Sequence, residues 1–525
     1  MLKQGKIANL DRKIEIIHSL FRRLKKEKFT KKLSISEGLK IPVTSDVDVA
    51  VVGGGISGII SAICAARSGA KTLLIEQQGC LGGLGTLGFV PPISNQFFDA
   101  SGKQITKGIA DEFMDRLATA GGITLEWRDW RIPKYPFDIE IFKLIAYEML
   151  EEAGVSIMLN SFFSKAIVEN GRIGNIIIEN RMGRQAIQSK IFIDCTGSAA
   201  VAISAGAPSN INADLTDSDS IKGVTSALLK RIGWAKRTEK TSSLQFAVSG
   251  VDFERLYNHV IHNPDGFDTY FRGELKEDIE LFKYLWNNKG IFYIPHTRNF
   301  EKEIQKALSE GFLKEHSWRY RSIGECGVSI DGLKSNGILT ITANKVVIDP
   351  FSEDDITKAL IKGQEICFEI WRFFKEYIPG FENSVVIAVA PLLGIRRAAQ
   401  IIGKRILTVQ EREEERKYAD VIGMYSRKTK NAREIPFFCT VPKNITNLFA
   451  GSGKSVSTDD FVMYRTKPHC MIIGQAVGVA AALCVKKKVA NHNLDTNLLQ
   501  SELLRQGVYL GEMDRLQELG LKGRE

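Results

Sequence analysis

Val47–Glu76 reads VDVAVVGGGISGIISAICAARSGAKTLLIE, a pattern of strand, turn, helix and second strand. Val47, Val49, Val51 and Val52 are β-branched and apolar, as a strand covered on both faces requires. Gly53, Gly55 and Gly58 fit G-x-G-x-x-G, with Ser57 inside the turn. The first glycine permits the tight turn, the second lets backbone approach a pyrophosphate, and the third lets the helix pack close to its strand. The helix carries Ile59, Ile60, Ala62, Ile63 and Ala66 and stops at Gly69. Its free N–H groups stabilise an anion at the turn. The second strand, Lys71 to Ile75, ends at Glu76, 23 residues after Gly53. That is near the roughly 20 expected of a carboxylate that bonds a ribose hydroxyl.

The chain has 525 residues, 44% of them hydrophobic, ample for a large core. Only one dinucleotide fingerprint is visible, so a single nucleotide domain with a large insertion is expected. The formal net charge is +10, and residues 1–32 hold eleven Lys and Arg against Asp11, Glu15 and Glu27. The remainder is near balance, so the chain reads as having a basic tail, and nucleic acid is not expected as a partner. Cys64, Cys80, Cys195, Cys326, Cys367, Cys439, Cys470 and Cys484 form no C-x-x-C. No metal site is expected, and the thiols read as reduced groups of a cytoplasmic protein. No apolar run reaches the ~18 residues of a membrane span, residues 48–66 coming nearest, and the front lacks a signal-peptide core.

Residues 8–28 have helical amphipathic spacing (Leu10, Ile14, Ile17, Phe21, Leu24) with basic residues between. A helix laid on the protein body and a membrane-surface contact both fit. Gly79, Gly82, Gly83, Gly85 and Gly88 crowd the loop after Glu76, which suits close backbone approach to an extended cofactor. Residues 107–120 and 138–153 read as helices. A β-meander follows, turning at Asn170-Gly171 and near Met182-Gly183, and its last strand ends at Asp194, Thr196 and Gly197. Residues 210–385 are rich in aromatics and charges and read as a mixed sheet-and-helix substrate domain. A strand at Leu448–Ala450, the turn Gly451–Gly453 and a small-residue helix from about Cys470 close the core. Gly453-Lys454-Ser455 is not a P-loop, because Leu448 stands where that pattern needs glycine. The expected division is 1–45 basic helix and linker, 46–209 and 386–485 cofactor domain, 210–385 substrate domain, and 486–525 helical tail.

VVGGGISG with Glu76, LGGLGT, IDCTG and NLFAGSG…YR…C…GQAVGVAAAL together resemble the FAD-dependent oxidoreductase family within the glutathione-reductase-like flavoproteins. Distant relatives are the succinate dehydrogenase and fumarate reductase flavoprotein subunits. The resemblance covers residues 46–485. It implies an α/β, glutathione-reductase-like FAD-binding Rossmann domain with an inserted mixed α+β domain, and FAD bound in extended form. Gly53, Gly55, Ser57 and Gly58 would hold the pyrophosphate and Glu76 the adenosine ribose. Gly82, Gly83 and Thr86 would pass beside the flavin side, and Thr196 and Gly197 would close over the adenine half. Gly451 and Ser452 would meet the ribityl chain. Gly474, Gln475 and Ala476 would form a helix N-terminus at the flavin pyrimidine edge, where reduced flavin carries negative charge. The chain departs from the family at Leu393-Gly394-Ile395-Arg396-Arg397-Ala398-Ala399, where a carboxylate and hydroxyl often follow the arginine. It departs again at Ser452-Gly453-Lys454, where the family often has Ala-Gly-Arg.

The implied chemistry is hydride transfer between flavin N5 and a small organic substrate, which needs a base and a group that steadies charge. Arg396, read as preceding a helix, would bind a substrate carboxylate or form an interdomain salt bridge. Tyr464 and Arg465 match a family arginine near the flavin helix, and Lys454 would replace the missing one. His469 would serve as base, cap or core residue. His296 with Arg298 would reach the cleft from the insertion, and Cys80 would pack or touch flavin. Trp127-Arg128-Asp129-Trp130 differs from the W-x-W of flavin halogenases and offers instead an aromatic cleft wall. With no second G-x-G-x-x-G for a nicotinamide domain, electrons would pass to a second substrate at the same cleft, oxygen, a quinone or a partner protein. The rival readings are a flavin monooxygenase or halogenase, and an RNA-modifying or membrane-docked flavoprotein using the basic front. A homodimer is compatible with each.

Overall fold

Val49 to Val52 are buried almost without remainder, and they lie at the centre of a seven-stranded sheet. This is a computed structural model, which describes residues 38, 40–210, 241–263, 275–294, 300–313, 329–426, 432–459 and 464–521. The helix expected at 8–28, together with His296, Arg298 and Cys326, lies outside the described residues. Val43–Val52 pairs in parallel with Thr72–Ile75 on one side and with Gly183–Asp194 on the other. Ser156–Met158 extends the first side and Leu448–Ala450 the second, both parallel. Strand order therefore reverses between Val43–Val52 and Gly183–Asp194, and a crevice opens outside their carboxyl ends.

Gly183–Asp194 divides one edge between two partners. Its first half pairs with the meander strand Arg172–Asn180, which carries Phe162–Glu169 beyond it. Its last three residues pair with Leu448–Ala450. The meander turns on Asn170 and Gly171, with φ of 49° and 71°, the two left-handed positions of a tight hairpin.

The helices Ile56–Arg67 and Lys467–Lys487 cross in very close contact. A Cβ at Gly474 would lie 2.8 Å from the Ser57 carbonyl oxygen, and one at Gly478 would lie 2.4 Å from that of Ser61. The second helix is long and apolar enough to cross a bilayer by length and composition, unlike the expectation from the sequence. It is buried from Pro468 to Cys484, so its apolar surface is taken up by the protein itself.

The second sheet is antiparallel. It orders Ile291–Ile294, Ile330–Leu333, Ile338–Val347 and Thr241–Ser249, and Val385–Val389 and Gly394–Ile395 share the last edge. The boundary expected after residue 385 thus falls inside this sheet. One face buries Leu244, Phe246, Val248, Phe292, Leu339 and Ile341 in a core shared with the helix Glu353–Tyr377. The period-2 alternation places Ser243, Gln245, Tyr293, Asp331 and Thr340 on the opposite face, and these are buried too. Ile291, Tyr293 and Leu333 join the core of the first body, so this polar face is turned towards it. At the end of the chain, Thr496–Arg505 packs Leu499 and Leu503 back into that core.

The helix crossing gives a direct test. Gly478→Ala is expected to destabilise the protein by about 1–3 kcal/mol, since its methyl would meet backbone that has nowhere to move. The reading is a lowered denaturant midpoint. An unchanged midpoint would mean that the helices do not cross this closely.

Candidate functional site

The site begins where the two central strands end. Gly53 has φ +104°, and a Cβ there would stand 2.5 Å from the Cys195 carbonyl oxygen. A Cβ at Gly58 would stand 1.8 Å from the Gly53 oxygen. Gly55 is different, because a Cβ there would meet nothing within 4 Å. No side chain caps the helix N-terminus that Gly55 opens, and no acid stands in its first turn. Open space, unsatisfied N–H groups and the positive end of the helix dipole thus coincide in front of Gly55, Ser57 and Gly58.

The glycine loop docks against this turn. Gly82 N donates to Gly54 O at 2.8 Å, and Gly55 and Gly82 form a β-bridge. Gly82 and Gly83 both have positive φ, and a Cβ on Gly83 would come within 3.2 Å of the Gly55 Cα. The Thr86 hydroxyl donates to Leu81 O at 2.6 Å, so that side chain closes the loop on itself. Glu76 is buried and accepts from Gly54 N (2.5 Å) and Gln78 N (2.8 Å). Burial pushes its carboxyl pKa up, while the backbone N–H groups pull it back.

Across the crevice, Asp194 is fully buried. Its Oδ1 accepts from Thr196 N (3.0 Å) and Thr196 Oγ1 (2.6 Å), and its Oδ2 accepts from Ala202 N (3.0 Å). These bonds fold the segment carrying Thr196 and Gly197 back over the strand end. Gly451 N donates to Asp194 O at 2.9 Å. A Cβ on Gly453 would lie 1.7 Å from Tyr464 O. Ser452 and Lys454 reach Gly197. Lys454 Nζ donates to Ile395 O at 2.8 Å, and burial, followed by the nearby Arg465, pushes its pKa down to about 8.

Several expected placements differ. The closing helix starts at Lys467, with Thr466 as N-cap and Pro468 in its first turn, a signal of the kind that starts helices. Gly474, Gln475 and Ala476 therefore lie about 10 Å along the helix rather than at its N-terminus. Gly474 packs on Ser57. Gln475 Oε1 accepts from Ile109 N at 3.3 Å, at the start of the helix Ile109–Thr119. Ala476 is buried in the core. Arg396 lies in a loop after Gly394–Ile395, with no helix directly following. Tyr464 is 1% exposed and packs edge-on against Tyr425, with ring centres 4.9 Å apart. His469 is fully buried beside both, with Nδ1 3.0 Å from Thr466 Oγ1. Arg465 follows Tyr464 close to Lys454. Trp127 is a core residue rather than a cleft wall, for its Nε1 donates to Asp115 and its ring packs on Phe97 and Tyr135. Cys80 is half-buried in the loop, and burial raises its pKa.

The structure also brings in residues that no motif pointed to. Lys467 Nζ donates to Val90 O (2.7 Å) and Pro92 O (3.0 Å), and its Cε flanks Gly85. Burial drives its pKa down to about 7, Cys470 and Asp331 opposing and Lys134 and Arg465 assisting.

A doubly wound sheet with glycine turns at its switch point defines a dinucleotide-binding protein. Residues 48–503 match the FAD dependent oxidoreductase family. The chain belongs to that family, and it is an FAD-dependent oxidoreductase. No curated protein matches it. Among solved structures it is similar to a geranylgeranyl bacteriochlorophyll reductase-like protein of Thermoplasma acidophilum (13% identity, 89% of this chain and 84% of that one, TM-score 0.42). It is also similar to the myxobacterial chondrochloren halogenase CndH (12%, 88% and 79%, TM-score 0.43). A third is L-proline dehydrogenase from P. horikoshii (11%, 86% and 95%, TM-score 0.38).

Asp194→Ala would leave three donors without their acceptor, Ala202 N buried and the two of Thr196 part-buried. The expected loss is about 3 kcal/mol or more of stability, by chemical denaturation. A loss below about 1 kcal/mol would mean the Asp194 bonds do not hold the turn.

Proposed function

We propose that the enzyme moves a hydride between flavin N5 and a small organic substrate held between the glycine loop and the inward face of the second sheet. The observation that carries this is Gly55. Within a buried strand–turn–helix unit, it is the turn position whose missing side chain leaves space for a ligand, and it opens an uncapped helix. FAD lies extended across the switch point, on a fold of the glutathione-reductase type. The parallel strand order, the meander sharing an edge with Leu448–Ala450, and the inserted sheet support that assignment.

In this reading Gly53, Gly55, Ser57 and Gly58 bind the pyrophosphate. Glu76 accepts from the ribose while its backbone bonds fix its orientation. Thr196 and Gly197 cover the adenine half, and Gly451 and Ser452 follow the ribityl chain. Gly82 and Gly83 line the flavin side, with Thr86 holding their loop in shape. The first turn of Lys467–Lys487, rather than Gly474–Ala476, faces the pyrimidine edge. Its N–H groups favour the negative charge of the reduced cofactor. Bound FAD supplies a two-electron carrier. Arg396 and Arg465 are the cations offered to a substrate oxyanion. Electrons leave to a second substrate at the same cleft, to oxygen, to a quinone or to a partner protein.

Glu76→Ala should weaken FAD binding about 10- to 100-fold, as expected for a lost hydrogen bond to a charged acceptor, read by titrating apoprotein with FAD. Affinity equal to that of the wild type would remove Glu76 from the ribose.

A further inference from the structure

A charged cluster lies where the two bodies meet, and the cofactor contacts do not use it. Asp331 belongs to the second sheet, in register with Tyr293 on one side and Thr340 on the other. It is 2% exposed. Its Oδ2 receives one long bond, from Ser329 at 3.4 Å, and its Oδ1 has no hydrogen-bond partner. Lys134 comes from the first body and sets its Nζ 4.6 Å from the centre of the Tyr293 ring. Lys467 comes from the closing helix, its Nζ bonded to two neutral carbonyls.

Among the described residues, neither lysine has a carboxylate within ion-pair distance, yet their charges and that of Asp331 act on one another. Lys134 is half-buried and Lys467 relieves the cost of burial through its lowered pKa, whereas a buried acceptor without a donor costs about 1–3 kcal/mol. Lys134, Lys467 (part-charged at neutral pH, its pKa pushed down to about 7) and an acceptor short of a donor together suit a single bifunctional ligand.

We propose that Lys134, Lys467 and Asp331 take a small organic acid with a hydroxyl or amino group on the carbon to be oxidised. Its carboxylate sits between the lysines, and its O–H or N–H donates to Asp331. This rests on the reading that the flavin lies at the glycine loop. The substrate C–H bond breaks, and the hydrogen leaves with its electron pair to FAD. The O–H or N–H proton passes to Asp331, and a C=O or C=N bond forms. The substrate loses two electrons and FAD gains them. Asp331 then releases its proton to solvent. Burial raises the Asp331 pKa, while Lys134, Ser329 and Lys467 oppose the rise, so reduction of the cofactor should slow as the pH falls and the carboxylate protonates. Tyr293 and Thr340 are the other polar groups beside it.

The test uses the FAD-loaded full chain. Binding is read as a shift of flavin absorbance on adding pyruvate, which cannot be oxidised in this way. Reduction is read as anaerobic bleaching by lactate, alanine and their four-carbon homologues, against 2-propanol and isopropylamine, which lack the carboxylate. The expected result is a response to the acids alone. Lys467→Gln should weaken pyruvate binding about tenfold or more. Asp331→Asn should keep pyruvate binding and FAD content but slow bleaching about 100-fold and flatten its acid limb. Asp331→Glu should restore part of both. Loaded protein indifferent to every acid, or an Asp331→Asn variant that bleaches at the wild-type rate with the wild-type pH profile, would overturn the proposal. Protein that takes up no FAD would overturn the underlying cofactor reading as well.

Discussion

Everything at this site depends on how closely two parallel strand ends approach. Val52 and Asp194 are direct partners, and Cys195 N donates to Val52 O at 2.8 Å. Beyond that pair no room remains for a side chain on Gly53. The chain must turn sharply at Gly53 in one direction and, past the Asp194 anchor, at Gly197 in another. The divergence makes the crevice, and the first helix aims its N-terminus into it. Further glycine segments, at Gly82–Gly83 and Gly451–Gly453, are drawn in by backbone bonds to the same two strand ends. A cofactor held this way is held mainly by backbone. That explains how the chain can depart from family side chains at Arg397 and Lys454 and still belong to the family.

The parts of the fold legible in the sequence were those written in local periodicity and turn chemistry. The buried valines, the Asn170-Gly171 turn and the helices Ile109–Thr119 and Ile139–Glu152 need no knowledge of distant residues. The start of the closing helix is also local, written in Thr466-Lys467-Pro468, but the small residues beyond Cys470 give a stronger signal. Gly474 and Gly478 owe their identity to a helix some 400 residues away in sequence, a cause that the resemblance placing Gly474 at the flavin does not show. Gln475 pairs with Ile109, a partner set by tertiary packing that no local pattern shows. Asp331 had no motif at all. Its place follows from cross-strand register, a property of the assembled sheet.

The seam between the bodies combines two opposed requirements. The inward face of the second sheet must be buried to exclude water, yet it keeps Ser243, Gln245, Asp331 and Thr340. Buried polar groups are costly unless they are satisfied. Their concentration on one face, while the other buries Leu244, Phe246, Val248, Phe292, Leu339 and Ile341, ties polarity to that seam. Low dielectric there strengthens whatever charge is placed in it.

The most direct measurement concerns Gly55. Its backbone, φ −70° and ψ 179°, suits any residue, and a Cβ would meet no protein atom within 4 Å. Gly55→Val should therefore fold and melt like the wild type while losing FAD, read as absent flavin absorbance in the purified protein and in FAD titrations. A folded Gly55→Val protein that binds FAD as tightly as the wild type would contradict the placement of the cofactor at this turn.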